Sequence, residues 1–229
     1  MKLGERLKAV ADMVPAGVTL ADIGTDHAYL PIYLVEQRII CCAIAGDVHH
    51  GPYLSAKNAV AAVNLEQKIS VRLGDGLAVL APGEADVAVI AGIGGANIID
   101  IMSSSPAVMA TLKRIILQPM IAAALVRNWL QANRWQIIDE QLVQEEGRLY
   151  QIIAAEPGDS LPIDPVLCEI GPLLWQTRHP LLKQHIYELM SHLKGVLSAM
   201  EGSAAAINSA KYNEFVRKLR ELEDKYACL

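Results

Sequence analysis

Acidic residues and glycines recur just past the ends of short apolar runs in this chain. Asp22, Gly24, Thr25, Asp26 and His27 close the run Val18–Ile23, and Asp47 and Val48 follow the run 39–45. Gly74-Asp75-Gly76 closes 68–73, Ala91-Gly92-Ile93-Gly94-Gly95 closes 86–91, and Gln118-Pro119 closes 114–117. A glycine where a strand turns into a helix lets a ligand approach the backbone, and the helix start offers unpaired N–H groups. Carboxylates at such turns repel phosphate and suit a cation or sugar hydroxyls. Asp47 stands 25 positions after Asp22, near the ~20-residue offset of a ribose-binding carboxylate. Asp75, between two glycines, suits an adenine amino group. Gly-x-Gly-x-x-Gly is absent after the first run, which speaks against a pyrophosphate-bearing dinucleotide.

These turns require elements to hold them. Leu3, Leu7, Val10 and Val14 have helical spacing. Helices follow from about Ala28 to Gln37, from Gly51 to Asn64, over Asn97–Ser103 and over Ala122–Asn133. Pro31 is tolerated only in a first helical turn. Trp135–Val143 and Tyr150–Ala155 read as two strands joined by a polar turn. Alternating β and α units predict a doubly wound, mostly parallel α/β sheet that binds ligands at the carboxyl ends of its strands.

Pro157 to Pro172 reads as a connector. Beyond it, Leu182, Ile186, Leu189, Leu193, Val196 and Met200 step by three and four, and Ile207, Phe215, Leu219, Leu222 and Tyr226 continue less regularly. That pattern predicts a coiled-coil-like helical hairpin. The expected organisation is a ligand-binding domain over 1–156 and a connector plus hairpin over 157–229.

Composition narrows the classes. Net charge is −5, with 12 Lys/Arg against 16 Asp/Glu in residues 1–156 and 8 against 9 in residues 157–229. Any nucleic-acid contact must use a local basic patch. No apolar run reaches the ~18 residues of a membrane span. Cys41, Cys42, Cys168 and Cys228 lack zinc-ligand spacing, and His185 and His192 have no third partner, so no metal is expected. The cysteines read as reduced thiols of a cytoplasmic protein, with Cys41 and Cys42 in strand core.

Ala21-Asp-Ile-Gly-Thr-Asp-His-Ala-Tyr-Leu-Pro31, Gly46-Asp47, Gly51-Pro-Tyr-Leu-Ser-Ala-Lys57, Gly74-Asp-Gly76, Ala91-Gly-Ile-Gly-Gly95 and Leu117-Gln-Pro119 resemble the bacterial tRNA (adenine-N1)-methyltransferase family that modifies adenine 22 of tRNA. The resemblance covers nearly the whole chain. It implies a Rossmann-like class I methyltransferase fold with a seven-stranded sheet, S-adenosyl-L-methionine as cofactor, and tRNA as substrate. Carried over by position, Asp22, Gly24, Thr25 and His27 should hold the methionine end, Asp47 and Val48 the ribose, and Gly74, Asp75 and Gly76 the adenine. Ala91, Gly92 and Ile93 should line the methyl-delivery side, with Tyr29, Gly94, Gly95, Asn97 and Gln118 towards the substrate.

The fourth turn has no polar side chain before Asn97. That suits attack by a ring nitrogen with an in-plane lone pair better than attack by an amine. Asp26 and His27 are the catalytic candidates, either stabilising the cationic product or shaping the turn, with Asp26 as a helix cap. Tyr29 either stacks on a base or packs in the core. Arg6, Lys8, Arg178, Lys183, Arg217 and Lys218 are the candidate RNA-backbone contacts, or a solvated face. A monomer or weak dimer is expected. A small-molecule methyltransferase and a non-catalytic binding module with a partner-binding hairpin are the alternatives.

Overall fold

The computed structural model describes residues 2–159 and 161–229. The chain forms two compact units, Met1–Pro162 and Ile163–Leu229.

The first unit runs α1 (Glu5–Asp12), β1 (Thr19–Ile23), α2 (Tyr29–Glu36), β2 (Cys42–Asp47), α3 (His50–Ala62), β3 (Ile69–Leu73), β4 (Val87–Ile93), α4 (Gly95–Ser103), α5 (Pro106–Met109), β5 (Arg114–Pro119), α6 (Ala123–Ala132), β6 (Trp135–Glu145) and β7 (Arg148–Pro157). A 3-10 turn over Gly76–Val79 links β3 to β4. The seven strands form one sheet in the order β3-β2-β1-β4-β5-β7-β6. Strands β1 to β5 are parallel, and β7 is antiparallel to both β5 and β6. The order reverses between β1 and β4, which places the ligand crevice beside their carboxyl ends.

Strand residues alternate between two cores. Leu20, Ala43, Ile69, Val87, Val89 and Ile116 face α1, α2 and α3. Ala21, Ile23, Ile44, Ala88, Ile90 and Leu117 face Ile98, Met102, Val126 and Leu130 of α4 and α6. Burial on both faces explains the continuous apolar runs. β6 and β7 turn at Glu146 and Gly147, both left-handed at φ 49° and 77°, the geometry of a tight two-residue hairpin.

Some local expectations are corrected. β2 begins at Cys42, because Arg38 takes a left-handed turn at φ 58° and Ile40 drops into the core first. Cys41 is therefore exposed and Cys42 only half-buried, so neither is strand core. Arg127 and Glu140 form an ion pair at 2.7 Å with both side chains fully buried.

In the second unit, α7 (Pro165–Ile170) and α8 (Pro172–Gln176) precede α9 (Leu182–Met200), α10 (Ala204–Ile207) and α11 (Ala210–Ala227). The expected connector thus contains a helix, started by Pro165 and capped by Asp164, whose carboxylate accepts from Val166 N–H at 3.1 Å. On α9 the buried residues are Leu182, His185, Ile186, Met190, Leu193 and Leu197. Leu189, Val196 and Met200 are half-buried flanks. Ser209 caps α11 by accepting from Tyr212 N–H at 3.1 Å.

Candidate functional site

Backbone hydrogen bonds stitch the carboxyl ends of five strands into two groups, one over β1, β2 and β3 and one over β4 and β5. Gly24 N–H and Thr25 N–H both donate to Gly46 O, at 2.8 and 3.1 Å. Gly74 N–H donates to Asp47 O at 2.9 Å. Met120 N–H donates to Ile93 O at 2.9 Å, and Gly95 N–H to Ile121 O at 3.0 Å. The turns therefore hold one another as well as their own helices.

Two adjoining cavities open on these strand ends. The first, of about 380 Å³, is lined by Arg6, Asp22, Gly24, Thr25, Asp26, His27, Tyr29, Ala91, Gly92 and Ile93, among others. The second, of about 400 Å³, is lined by Gly24, Asp47, Val48, His49, Asp75, Gly76, Ile93, Asn97 and Asp100, among others. Gly24 and Ile93 belong to both, so one extended ligand can occupy the pair.

Asp22 anchors the first cavity. It is buried at the end of β1, and its carboxylate accepts from Thr25 Oγ1 at 2.6 Å. Burial, with the neighbouring Asp47 charge adding to it, pushes its carboxyl up to about 6 against the pull of the Thr25 hydroxyl. A buried carboxylate held in this way is complementary to a bound cation. Arg6 brings the opposite charge to the same cavity from α1. Its guanidinium donates to Gln118 Oε1 at 2.7 Å, lies 3.8 Å from Glu145 Oε2, and sits over the Tyr150 ring at 5.6 Å. Arg6 is the only Arg or Lys among the described residues that line either cavity.

The turn into α2 is strained. Asp26 and Ala28 are both left-handed, at φ 51° and 54°, without being glycine. No side chain caps α2, so Asp26 is not its cap. The Asp26 carboxylate is instead exposed, 3.5 Å from His27 Nε2. The His27 ring stacks on Tyr29 with centroids 5.1 Å apart and planes 19° from parallel. Tyr29 is 44% exposed, which excludes the core reading.

In the second cavity Asp47 is buried, and its Oδ1 accepts from His49 N–H at 2.8 Å. The other oxygen faces Asp26 N–H at 3.5 Å. Asp75 lies exposed at the opposite wall. Gly74 is half-buried beside it, and a Cβ there would stand 2.8 Å from Val79.

The structure brings the expected cofactor residues other than Gly74 to the two cavities, and four points differ on the substrate side. Asn97 lines the second cavity with Asp75 and Asp100, away from Tyr29. Gln118 is fully buried and works on the backbone: its Oε1 also accepts from Gly92 N–H at 3.1 Å. Arg6 lies in the first cavity, whereas Lys8 is half-buried, outside both cavities, and paired with Asp12. Gly94 and Gly95 start α4 beside the first cavity without lining it. The sequence reading takes Arg6 as an RNA-backbone contact, and no signal there points it to this cavity, since its partner Gln118 is 112 residues away.

Of the cations on the second unit, Arg178 and Lys183 are exposed, Lys183 over the Tyr226 ring at 5.3 Å. Arg217 is 3.8 Å from Glu221, and Lys218 pairs with Glu169 at 2.6 Å. Among the described residues no group of three His, Cys, Asp or Glu could hold a metal ion, and no helix is long and apolar enough to cross a membrane.

Residues 20–224 match the family model for tRNA (adenine(22)-N(1))-methyltransferase. A Bacillus subtilis protein of that name is 37% identical over 234 residues, spanning 100% of this chain and 96% of its own length. The crystal structure of the Bacillus subtilis m1A22 tRNA methyltransferase superposes with a TM-score of 0.83 at 36% identity, covering 99% of this chain and 96% of that one. A Streptococcus pneumoniae protein crystallised with S-adenosyl-L-methionine gives a TM-score of 0.87 at 35% identity, covering 96% and 98%.

Proposed function

The chain belongs to the tRNA (adenine(22)-N(1))-methyltransferase family, and from that premise we propose that its two cavities hold the two halves of the cofactor beside the incoming adenine. It is an S-adenosylmethionine-dependent enzyme that methylates N1 of adenine 22 in tRNA. The observation that carries the site reading is the opposed pair of charges in the first cavity. Asp22 and Arg6 face a ligand end that bears both an ammonium and a carboxylate, which is the methionine end of this cofactor. Asp47, oriented by His49 N–H, then meets the ribose hydroxyls, with Val48 beside it. Asp75, Gly76 and Asn97 meet the adenine.

When bound, the cofactor supplies a sulfonium methyl group; as the N1–CH3 bond forms, the S–CH3 bond breaks and the positive charge passes to the adenine. The protein must align the nucleophile and exclude water. Gly92 and Ile93 offer backbone and an aliphatic wall there. Tyr29, braced by His27, presents a ring face for the base to stack on. The Asp26 carboxylate, at the same opening, stabilises the cationic product. The exposed cations of the second unit supply phosphate contacts, and a tRNA substrate implies a cytoplasmic enzyme.

The test is methylation of unmodified tRNA transcripts with labelled cofactor, followed by mapping of the modified base. Label at N1 of adenine 22, lost when that adenine is replaced by guanine, is expected. Label on small metabolites but not on tRNA would overturn the substrate assignment.

A further inference from the structure

Adenine N1 lies on the Watson–Crick edge, so a stacked and paired target must leave the helix before the methyl can reach it. Proteins frequently insert apolar side chains between base steps, and one so placed would fill the vacancy that the target leaves. The turn after β5 presents such a side chain. Ile121 is 72% exposed, and Met120 and Leu125 beside it are 42% and 52% exposed.

An exposed aliphatic side chain alone is unremarkable. The way Ile121 is held is different. Met120 N–H donates to Ile93 O, and Ile121 O accepts from Gly95 N–H, so both residues are bonded to the turn that flanks the first cavity. The next residue, Ala122, is left-handed at φ 60°, a conformation strained for a residue other than glycine. The seating is tight: a Cβ on Gly95 would stand 2.7 Å from Ala122 O and 2.9 Å from Ile121 O. The Ile121 side chain reaches to within 3.7 Å of the Cβ position of Gly94. The chain therefore spends a strained residue and an obligatory glycine on fixing an aliphatic side chain in water, at the rim of the acceptor cavity.

We propose that Ile121, flanked by Met120 and Leu125, is the wedge that fills the stack vacated by adenine 22 and keeps that base in the first cavity. The proposal rests on methylation at adenine N1. Its partner surface is the apolar face of the bases next to the target, which an aliphatic side chain covers without reading sequence.

The experiment uses the full-length enzyme with two transcripts, one intact and one abasic opposite adenine 22, so that the target is already free to leave. Ile121→Ala and Ile121→Gln are compared with Ile121→Leu. On intact tRNA, kcat/KM should fall about ten-fold or more for the first two and little for the third. On the abasic transcript the loss should shrink to about two-fold or less, with cofactor affinity by calorimetry unchanged. With 2-aminopurine at position 22, the fluorescence rise that reports unstacking should be smaller for Ile121→Ala. Equal losses on both transcripts, or no loss on either, would overturn the wedge. Failure of the unmodified enzyme to methylate adenine 22 in either transcript would instead overturn the reading on which it rests.

Discussion

The guanidinium of Arg6 donates to Gln118 Oε1 at 2.7 Å, and that same oxygen accepts from Gly92 N–H at 3.1 Å. One fully buried amide thus ties the first helix to the carboxyl end of β4. Gly92 is left-handed at φ 79° within a bulge of β4, so its N–H leaves the ladder and needs this acceptor. Glu145 steadies Arg6 from the other side, accepting from its backbone N–H at 3.2 Å. The placement of the Arg6 charge and the shape of the β4 bulge therefore depend on one side chain.

Replacing Arg6 separates these roles. Arg6→Gln should raise the KM for S-adenosylmethionine about ten-fold or more while leaving the KM for tRNA nearly unchanged, since a charge-assisted contact is lost. Decarboxylated S-adenosylmethionine gives the sharper readout. The unmodified enzyme should bind it much more weakly than the normal cofactor, and Arg6→Gln should bind the two alike. A variant that still discriminates between them would show that Arg6 does not meet the carboxylate. Gln118→Leu leaves the Gly92 N–H without its acceptor and should also cost about 1–3 kcal/mol of stability, measured by urea denaturation.

Asp22 gives the enzyme a pH limit. Its carboxyl is raised from the usual carboxylate range to about 6, chiefly by burial. Only the ionised form attracts an ammonium group, so cofactor affinity should be level above pH 7 and fall as pH drops through about 6. The stability consequence has the opposite direction. A group that holds its proton more tightly when folded favours folding at low pH and opposes it above its folded pKa. For this fully buried group the effect is on the order of 3 kcal/mol. Asp22→Asn should accordingly gain stability at pH 8 and almost none at pH 4, and should lose cofactor binding at pH 8 while matching the unmodified enzyme at pH 4. Calorimetry and denaturation at the two pH values check this; an Asp22→Asn protein that binds cofactor normally at pH 8 would refute it.

The fold was legible because strands buried on both faces leave continuous apolar runs, and turns leave glycines and carboxylates. Asp22, Asp47 and Asp75 announce themselves as acidic punctuation after apolar segments. What was not legible is of another kind. Arg6 meets Gln118 across 112 positions and Glu145 across 139, and no periodicity records such a pairing. Asn97 reads as facing the substrate, but α4 begins at Gly95 and puts it over the second cavity. Cys41 reads as strand because Ile39 and Ile40 adjoin it, yet the left-handed Arg38 delays the strand. Pro165 reads as a breaker in a connector, although at the first turn of α7 it starts a helix.

The ion pair between Arg127 and Glu140 should govern stability without touching the chemistry. Both side chains are fully buried, and Arg127 Nη2 also donates to Gln151 Oε1 at 2.8 Å. Removing one partner strands a buried charge. Glu140→Ala should therefore destabilise by about 3–5 kcal/mol, while Arg127→Met with Glu140→Leu recovers much of the loss. Urea midpoints of Glu140→Ala and of the double variant test this; a double variant no more stable than Glu140→Ala would show that the pair contributes as packing rather than as charge.

The basic residues of the second unit divide into two groups by their partners. Lys218 is half-buried against Glu169 at 2.6 Å, and its neutralisation should lower the stability of that unit. Arg178 and Lys183 are exposed, with Lys183 held only over the Tyr226 ring at 5.3 Å. Each released phosphate contact lowers the slope of log affinity against log salt by about 0.9 on duplex nucleic acid. Arg178→Gln with Lys183→Gln should thus weaken tRNA binding and lower the magnitude of that slope by about 2, with cofactor affinity unchanged. Lys218→Gln should leave the slope nearly as it was and shift the melting curve instead. Titrations of tRNA at several salt concentrations, beside thermal melts of the same proteins, decide between the two groups. An unaltered slope in the double variant would remove Arg178 and Lys183 from the RNA-binding surface.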